Sequence, residues 1–378
     1  MGADIIHPGA SLIASSRDSQ GEPFLTVAIP HYKHPRHLEI VLASLFAQTF
    51  EDFEILVSDD CSPDDSAETI PPVLAESKCS FRYFLQSSNL GYDGNVRFCL
   101  RAARGRYIFL LGNDDALSEP ATLENVAGML RSLGLPQIAF TNYEDWSLGE
   151  VNRRALTTAV LGSGPGAAVT NFRSFSFVSG LIYERSAAAR YETDRWDQSI
   201  YYQIYLACKI LATGGRLATL DLSAVQKDVR IGDRTVVNYV SKWSNEKWSF
   251  QSRHTGLDSV IRVTANAVLS EIPAPEHSRT LRKIVAKVLV SSYPFWLFEY
   301  RKVSNWSFAV GIARGMWPGK LLAEYRIGFV DRIYLYLLYA TVTVAGLIIP
   351  KTFFGMFGSK VAGLIRGLQQ SKPLKISP

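Results

Sequence analysis

Apolar residues fall in short runs that alternate with stretches of helical spacing. Phe24-Leu-Thr-Val-Ala-Ile29, Phe53-Glu-Ile-Leu-Val-Ser58, Phe81-Arg-Tyr-Phe-Leu-Gln86 and Arg106-Tyr-Ile-Phe-Leu-Leu111 are rich in strand formers, and each ends at polar or proline residues. Between the first two, Leu38, Val41, Leu42 and Leu45 share one face of a helix predicted over 35–48. Further helices are predicted over about 66–77, 91–104 and 120–133, with another strand at 137–141. Strand–helix alternation at this spacing predicts an α/β fold with βαβ units and a mostly parallel sheet. Residues 1–20 read as a flexible lead-in. The Gly-, Ala-, Ser- and Thr-rich stretch 151–170 reads as a mobile loop. Within it, Gly162-Ser-Gly-Pro-Gly166 has no clear strand before it and no clear helix after it. A strand at 175–183, a helix at 197–212 and mainly helical structure over 240–270 complete this part of the chain.

The last hundred residues have a different pattern. Ile333 to Ile349 carry no charge and stop at Pro350. As a helix at ~1.5 Å per residue this run is about 25 Å long, a little short for a hydrocarbon core of ~30 Å. Tyr293-Pro-Phe-Trp-Leu-Phe298 and Arg314-Gly-Met-Trp317 precede it, and Lys351, Lys360 and Arg366 follow it. Aromatic and basic residues beside apolar surface fit a membrane interface. The alternative is the buried helix of a helical C-terminal domain.

Charge sharpens this division. Residues 281–378 hold 14 Lys/Arg and 3 Asp/Glu, a net of +11 in a chain of net +5, so the first 280 residues carry −6. Such a split points to an anionic partner for the tail. No nucleic-acid module accompanies the charge, so anionic lipid is the expected partner and nucleic acid is not. Cys61, Cys79, Cys99 and Cys208 form no CxxC pair, which disfavours a zinc site or a disulfide framework. His31, His34 and His37 cluster without matching Cys or Glu ligands. The run Met1 to Gln20 has neither the basic start nor the apolar core of a signal peptide.

Open parallel sheets bind ligands beyond the carboxyl ends of their strands. The polar punctuation sits there: Pro30-His31-Tyr32, Asp59-Asp60, Ser87-Ser88-Asn89 and Gly112-Asn113-Asp114-Asp115. Four such ends on one edge indicate a site.

These segments carry a resemblance. Val27-Ala-Ile-Pro-His-Tyr32, Gln48 to Ser62, Asn89-Leu-Gly-Tyr-Asp-Gly-Asn95 and Gly105 to Asp115 resemble, in order and spacing, the nucleotide-sugar half of family 2 glycosyltransferases with the GT-A fold. Residues 171–222 resemble the acceptor half more loosely. The variant is similar to bacterial O-antigen and capsule enzymes of the abequosyltransferase or rhamnosyltransferase kind. The implied organisation is a lead-in at 1–20, a GT-A domain at 21–230 (nucleotide-sugar half 24–133, acceptor half 134–230), and a helical, basic, membrane-associating region at 231–378.

The resemblance implies roles that the chemistry supports. Asp59 and Asp60 accept hydrogen bonds from a base N–H and ribose hydroxyls, or Asp60 caps the Ser62-Pro63 turn. Pro30 and Tyr32 shape the nucleotide slot, or Tyr32 serves loop packing. Asn89, Gly91 and Asn95 border the donor sugar and phosphate, or Asn89 caps a helix. The departing diphosphate needs Mg²⁺ or Mn²⁺, with Asp114 as principal ligand and Asp115 assisting or cradling sugar hydroxyls. Two departures from the family stand out. Gly112 replaces the first carboxylate of the usual Asp-x-Asp, and Lys33 stands where Asn is common. The general base precedes a helix in the acceptor half. Asp197 of Arg195-Trp-Asp-Gln-Ser199 is the match, with Asp194 as runner-up, although an aspartate there is also an ordinary N-cap.

The expected activity is inverting transfer from a nucleoside-diphosphate sugar to a hydroxyl of a lipid-linked saccharide, at the cytoplasmic face of the plasma membrane. Two rivals are an enzyme acting on the bare polyprenyl phosphate and a non-catalytic membrane-bound scaffold.

Overall fold

The computed structural model describes residues 9–16, 22–146, 149–231, 256–302 and 306–349. Most of the 240–256 stretch and the basic run 351–366 fall outside these residues. The strands are β1 (Ala10–Ser15), β2 (Leu25–His31), β3 (Phe53–Asp59), β4 (Ser80–Gln86), β5 (Tyr107–Leu110), β6 (Ala116–Leu117), β7 (Ile138–Asp145), β8 (Val151–Asn152), β9 (Ala159–Gly162), β10 (Leu181–Glu184) and β11 (Leu217–Lys227). The helices of the first 231 residues are α1 (Pro35–Phe46), α2 (Ser66–Ala75), α3 (Gly91–Ala102), α4 (Thr122–Ser132), α5 (Gly164–Asn171), α6 (Arg185–Arg190) and α7 (Tyr202–Ala212). Six more follow among the described residues: α8 (Leu257–Leu269), α9 (Ala274–Ser291), α10 (Tyr293–Lys302), α11 (Trp306–Gly315), α12 (Pro318–Leu321) and α13 (Phe329–Ile348).

All strands join one mixed sheet of order β1-β4-β3-β2-β5-β10-β7-β11-β6, with β8 on β7 and β9 on β11. The block β4-β3-β2-β5 is parallel, and β10 enters antiparallel between β5 and β7. Burial on both faces explains the near-continuous apolar runs of β2, β3 and β5. From β2 the chain moves outward through β3 to β4, and β5 then returns to the other side of β2. That reversal makes a switch point between β2 and β5, where open sheets leave a crevice.

Two cores sandwich the sheet. One packs Leu38, Val41, Ile70, Leu74, Val126 and Leu130 of α1, α2 and α4 against it. The other runs from Val96 and Leu100 of α3 through α7 to Val285, Val288 and Tyr339 of the C-terminal helices. The C-terminal helices therefore share a core with the acceptor half.

Three expectations need correction. The lead-in contains an ordered strand, since β1 pairs antiparallel with β4. The 151–170 stretch is not a plain loop, because β9 precedes the Gly-rich segment and α5 follows it, starting at Gly164 with Pro165 in its first turn. The strand expected at 175–183 begins only at Leu181. Phe172 and Phe175 instead lie on a 3-10 turn that buries both rings in the core.

A buried polar node fixes the amino end of the parallel block. The Glu54 carboxylate receives Arg82 Nη2 at 2.9 Å, Thr26 Oγ1 at 2.6 Å and the Arg104 amide at 2.8 Å, joining three strands to the turn before β5. Glu54 and Arg82 are almost fully buried. Removing one partner of such a pair strands the other charge, so Arg82→Met is expected to cost about 3–5 kcal/mol. Urea denaturation reads this as a lowered midpoint at unchanged slope.

Candidate active site

The carboxyl ends of β2 and β5 are tied together across the switch point. Asn113 Nδ2 donates to His31 Nδ1 at 3.0 Å and to the Lys33 carbonyl at 3.0 Å. With Nδ1 accepting, the imidazole donates from Nε2 to Ser66 Oγ at 2.9 Å, and Ser66 donates to Asp64 Oδ1 at 2.5 Å. Burial pushes the His31 pKa down to about 4, which keeps the ring neutral for this arrangement. Lys33 and His34 both take left-handed conformations, φ 61° and 67°. Residues with side chains pay for that geometry, and surrounding bonds hold it. Lys33 N donates to Ser62 Oγ at 2.8 Å and His34 N to Asp64 Oδ2 at 2.9 Å. Asn, the usual family residue at position 33, tolerates this conformation better than Lys. Tyr32 is 40% exposed, with Lys33 Nζ 4.9 Å from its ring centre, and Pro30 is half-buried beside it.

Asp59 and Asp60 are both buried. Asp59 accepts Tyr83 OH at 2.5 Å and the Ser62 amide at 2.8 Å, so Asp59, not Asp60, caps the Ser62 turn. Asp60 accepts the Leu90 amide at 2.6 Å, and burial pushes its carboxyl up to about 6. Asn89 donates to the Asp60 carbonyl at 3.1 Å and accepts the Gly91 amide at 3.0 Å, the capping alternative. Gly91 has φ +74° and open space around it. Asn95 accepts Ser58 Oγ at 2.6 Å and donates to the carbonyls of Ser58 and His31. Its amide is thereby spent on holding the strand ends together.

The acidic loop after β5 packs against the end of β11. Asp115 is buried and accepts Ser179 Oγ at 2.5 Å and the Asp228 amide at 3.0 Å. Burial and the neighbouring Asp114 push its carboxyl up to about 8. Asp114 is half-buried, and its pKa is raised by burial and then by Asp228. A side chain at Gly112 would meet Asp115 Oδ2 at 3.0 Å, Asp114 Oδ1 at 3.1 Å and Ser179 Oγ at 3.2 Å. The position of the missing family carboxylate is thus filled by the two that remain. Ser179 is itself held by Arg154, whose guanidinium donates to four carbonyls: Thr141 at 2.5 Å, Ser174 at 3.1 Å, Phe177 at 2.8 Å and Ser179 at 2.5 Å.

The segment bearing Asp197 is bolted to one face of α3. Arg97 Nε and Nη2 grip Asp197 Oδ1 and Oδ2 at 3.1 and 2.6 Å, and Arg97 and Arg101 both pair with Glu192. One helical turn earlier, Asp93 accepts the Ile200 and Tyr202 amides at 2.6 and 3.0 Å. Left-handed Gln198 and Ile200 delay α7 to Tyr202, five residues later than expected. Asp93 supplies the acceptor at that helix start, so Asp197 is not its cap. Asp194 stays in the turn, its carbonyl accepting the Asp197 amide.

Sequence reasoning missed Asp228, His31 as a bridge, and the Asp93–Arg97 clamp. Asp228 carried the same signal as the others, a carboxylate just past a strand end. Two surface cavities of about 450 and 370 Å³ lie at the opposite edge of the sheet, lined by residues such as Pro23, Arg106, Gln137 and Arg190.

Comparison with known proteins places this geometry. The solved structure of S. aureus TarS 1–349 in complex with UDP-GlcNAc superposes with a TM-score of 0.56 at 15% identity, over 89% of this chain and 92% of that one. The fold is that of the GT-A glycosyltransferases. Residues 26–158 match the glycosyl transferase family 2 model, and this part of the chain is a family 2 domain. Among curated relatives, the Campylobacter jejuni GalNAc(5)-diNAcBac-PP-undecaprenol beta-1,3-glucosyltransferase is 35% identical over 96 residues, 25% of this chain and 31% of the relative. The succinoglycan biosynthesis protein ExoW of Rhizobium meliloti is 49% identical over 55 residues, 14% of this chain and 17% of the relative. The chain thus spans about a third or less of these relatives. Together these likenesses support a glycosyltransferase.

Asp93 gives a pH test of the clamp. Burial pushes its pKa up to about 6 from 3.8, so the folded protein holds this proton more tightly than the unfolded chain. The resulting stabilisation is complete below the ordinary carboxyl value and is lost as pH rises through about 6. The stability of the native chain relative to Asp93→Asn is therefore expected to fall between pH 4 and pH 7 in urea denaturation, about the window that these two pKa values set. A constant difference would mean that the carboxyl does not titrate there.

Proposed function

We propose that the chain transfers one sugar, with inversion, from a nucleoside-diphosphate sugar to a hydroxyl of a lipid-linked saccharide in polysaccharide synthesis. One observation carries the reading: the crevice at the β2–β5 switch point is bordered by the Asp114 loop, while α3 presents the Arg97-held Asp197 from the acceptor half. The resemblance to a lipid-linked glucosyltransferase and to ExoW supports the acceptor class.

In this reading Tyr32, Pro30 and Asp60 border the nucleoside. The acceptor oxygen forms a bond to the anomeric carbon as the bond from that carbon to the diphosphate oxygen breaks. The acceptor proton passes to Asp197. A carboxylate has about four lone-pair sites, and Arg97 occupies two of them, so Asp197 keeps capacity to take that proton while staying oriented.

The residues fit a divalent cation. Asp114, Asp115 and Asp228 crowd one another around a single lysine, Lys227, which is itself paired with Asp228. Asp115 is spent on internal hydrogen bonds, which leaves Asp114 as the holding group with Asp228 beside it. Mg²⁺ or Mn²⁺ held there would supply positive charge to offset that of the departing diphosphate. Among the described residues no set of three His, Cys, Asp or Glu ligands is assembled, so the donor's phosphate oxygens would have to complete the coordination. In this reading the enzyme works at the cytoplasmic face of the plasma membrane, held there by its basic C-terminal region.

Calorimetry against UDP, dTDP, GDP and CDP, with and without Mn²⁺, tests the donor site. One nucleotide is expected to bind selectively, with affinity that needs metal and is lost in Asp114→Ala. Asp197→Asn is expected to keep that binding while kcat falls about 10²–10⁴-fold. Binding of none of the four by folded protein would overturn the donor site. Unchanged turnover in Asp197→Asn would remove it as the base.

A further inference from the structure

Helix α13 is apolar on the exposed side that an ordinary surface helix makes polar, as well as on its packed side. Val330, Ile333, Tyr334, Leu337, Val344 and Ile348 recur at helical spacing along one side, and all are exposed. Phe329, Val330, Leu337 and Ile348 are 65–77% exposed. The opposite side is packed. Leu335 and Tyr339 are buried, Tyr339 OH donates to the Ala313 carbonyl at 2.7 Å, and Tyr293 meets Thr343 at 2.9 Å. Only 11% of the apolar window is buried, which is unlike a core helix.

We infer that this exposed stripe docks on an anionic lipid surface, with α13 lying in the plane of the membrane instead of crossing it. Length alone would permit crossing, since twenty residues make about 30 Å of helix. Packing opposes it. Near its start α13 is fastened to α9, where Arg282 pairs with Asp331 at 2.8 Å and Ser278 donates to Asp331 at 2.6 Å. Near its end, Arg301 of α10 donates to the Gly346 carbonyl at 2.6 Å. A crossing α13 would draw these charged partners and their helices into hydrocarbon.

Charge selects lipid over a second copy of the chain. Between 306 and 349 the acidic residues are Glu324 and Asp331, paired with Arg262 and Arg282. Arg314, Lys320, Arg326 and Arg332 leave this region positive, which repels a like surface and attracts anionic headgroups. Trp306 and Trp317 are both exposed, and Trp317 lies against Tyr336 of α13 with ring centres 5.1 Å apart. Indole rings beside an apolar stripe suit the headgroup level.

This inference deepens the membrane part of the proposed function and is independent of the donor site. The full chain is sedimented with phosphatidylcholine vesicles, with and without phosphatidylglycerol, and compared with a Leu337→Glu/Val344→Glu variant of matched melting temperature. Binding is expected only with the anionic lipid, and about tenfold weaker in the variant. No binding by the native chain, or equal binding by the variant, would overturn the docking face. Loss of a dimer without change in vesicle binding would make the face a subunit contact and overturn it too.

Orientation is read separately with a fluorophore at Phe329→Cys or Ile348→Cys, in a chain whose Cys61 and Cys79 are serine. A reductant confined to the outside of the vesicle is expected to quench both labels. Protection of the label at 348 would show a crossing and overturn the in-plane arrangement. Nucleotide binding measured on the same samples separates failure of docking from failure of the donor reading.

Discussion

The site depends on a guanidinium that has no carboxylate partner among the described residues. Arg154 is satisfied by four backbone carbonyls and enclosed by the rings of Phe140, Tyr143 and Phe177 at 5.5–5.6 Å. Burial pushes its pKa down to about 10, so it stays charged at neutral pH. The carbonyls belong to β7 and to the irregular segment before β10, whose path no regular ladder would fix. Ser179, pinned by this cation, receives the Gly112 amide and donates to Asp115. The shape of the acidic loop therefore traces back to one residue about forty positions downstream. A positive charge near that loop also offsets part of its crowding.

A second organising element is the inner face of α3. Its residues act at intervals of one helical turn: Asp93 on the start of α7, Arg97 on Asp197, and Arg101 on Glu192. Because α3 starts where β4 ends, the same helix joins the nucleotide half to the acceptor half. Asn95, pointing the other way, ties its first turns to the ends of β2 and β3. Geometry at the two halves is thus coupled through a single rigid element.

The sequence pattern disclosed the parallel block because β2, β3 and β5 are buried on both faces and must read as apolar runs. It failed where burial relies on small residues or on context. Helix α5 enters through Gly and Pro and buries little more than Ala168 and Asn171. β1 lies at an edge with mostly exposed side chains, and only the short Leu12-Ile13-Ala14 run marks it. Phe175 reads as the start of a strand, yet a 3-10 turn buries it together with Phe172 equally well. At the site, strand-end position pointed to Asp59, Asp60, Asp114 and Asp115. It did not reveal which oxygens were already taken, because the partners are remote in sequence. Tyr83 lies 24 residues from Asp59, and Ser179 lies 64 from Asp115.

The two margins of the sheet are blunted in different ways. On one side β1 covers β4 and carries a register shift between Leu12 and Ala14. On the other, β6 is two residues long, and the four-residue β9 flanks the first part of β11. An irregular ribbon and a stub both make poor templates for a foreign strand. Growth by edge-to-edge strand addition, the usual route by which open sheets polymerise, is therefore disfavoured at β1 and at β6. At these two strands, association with other molecules is left to side-chain surfaces.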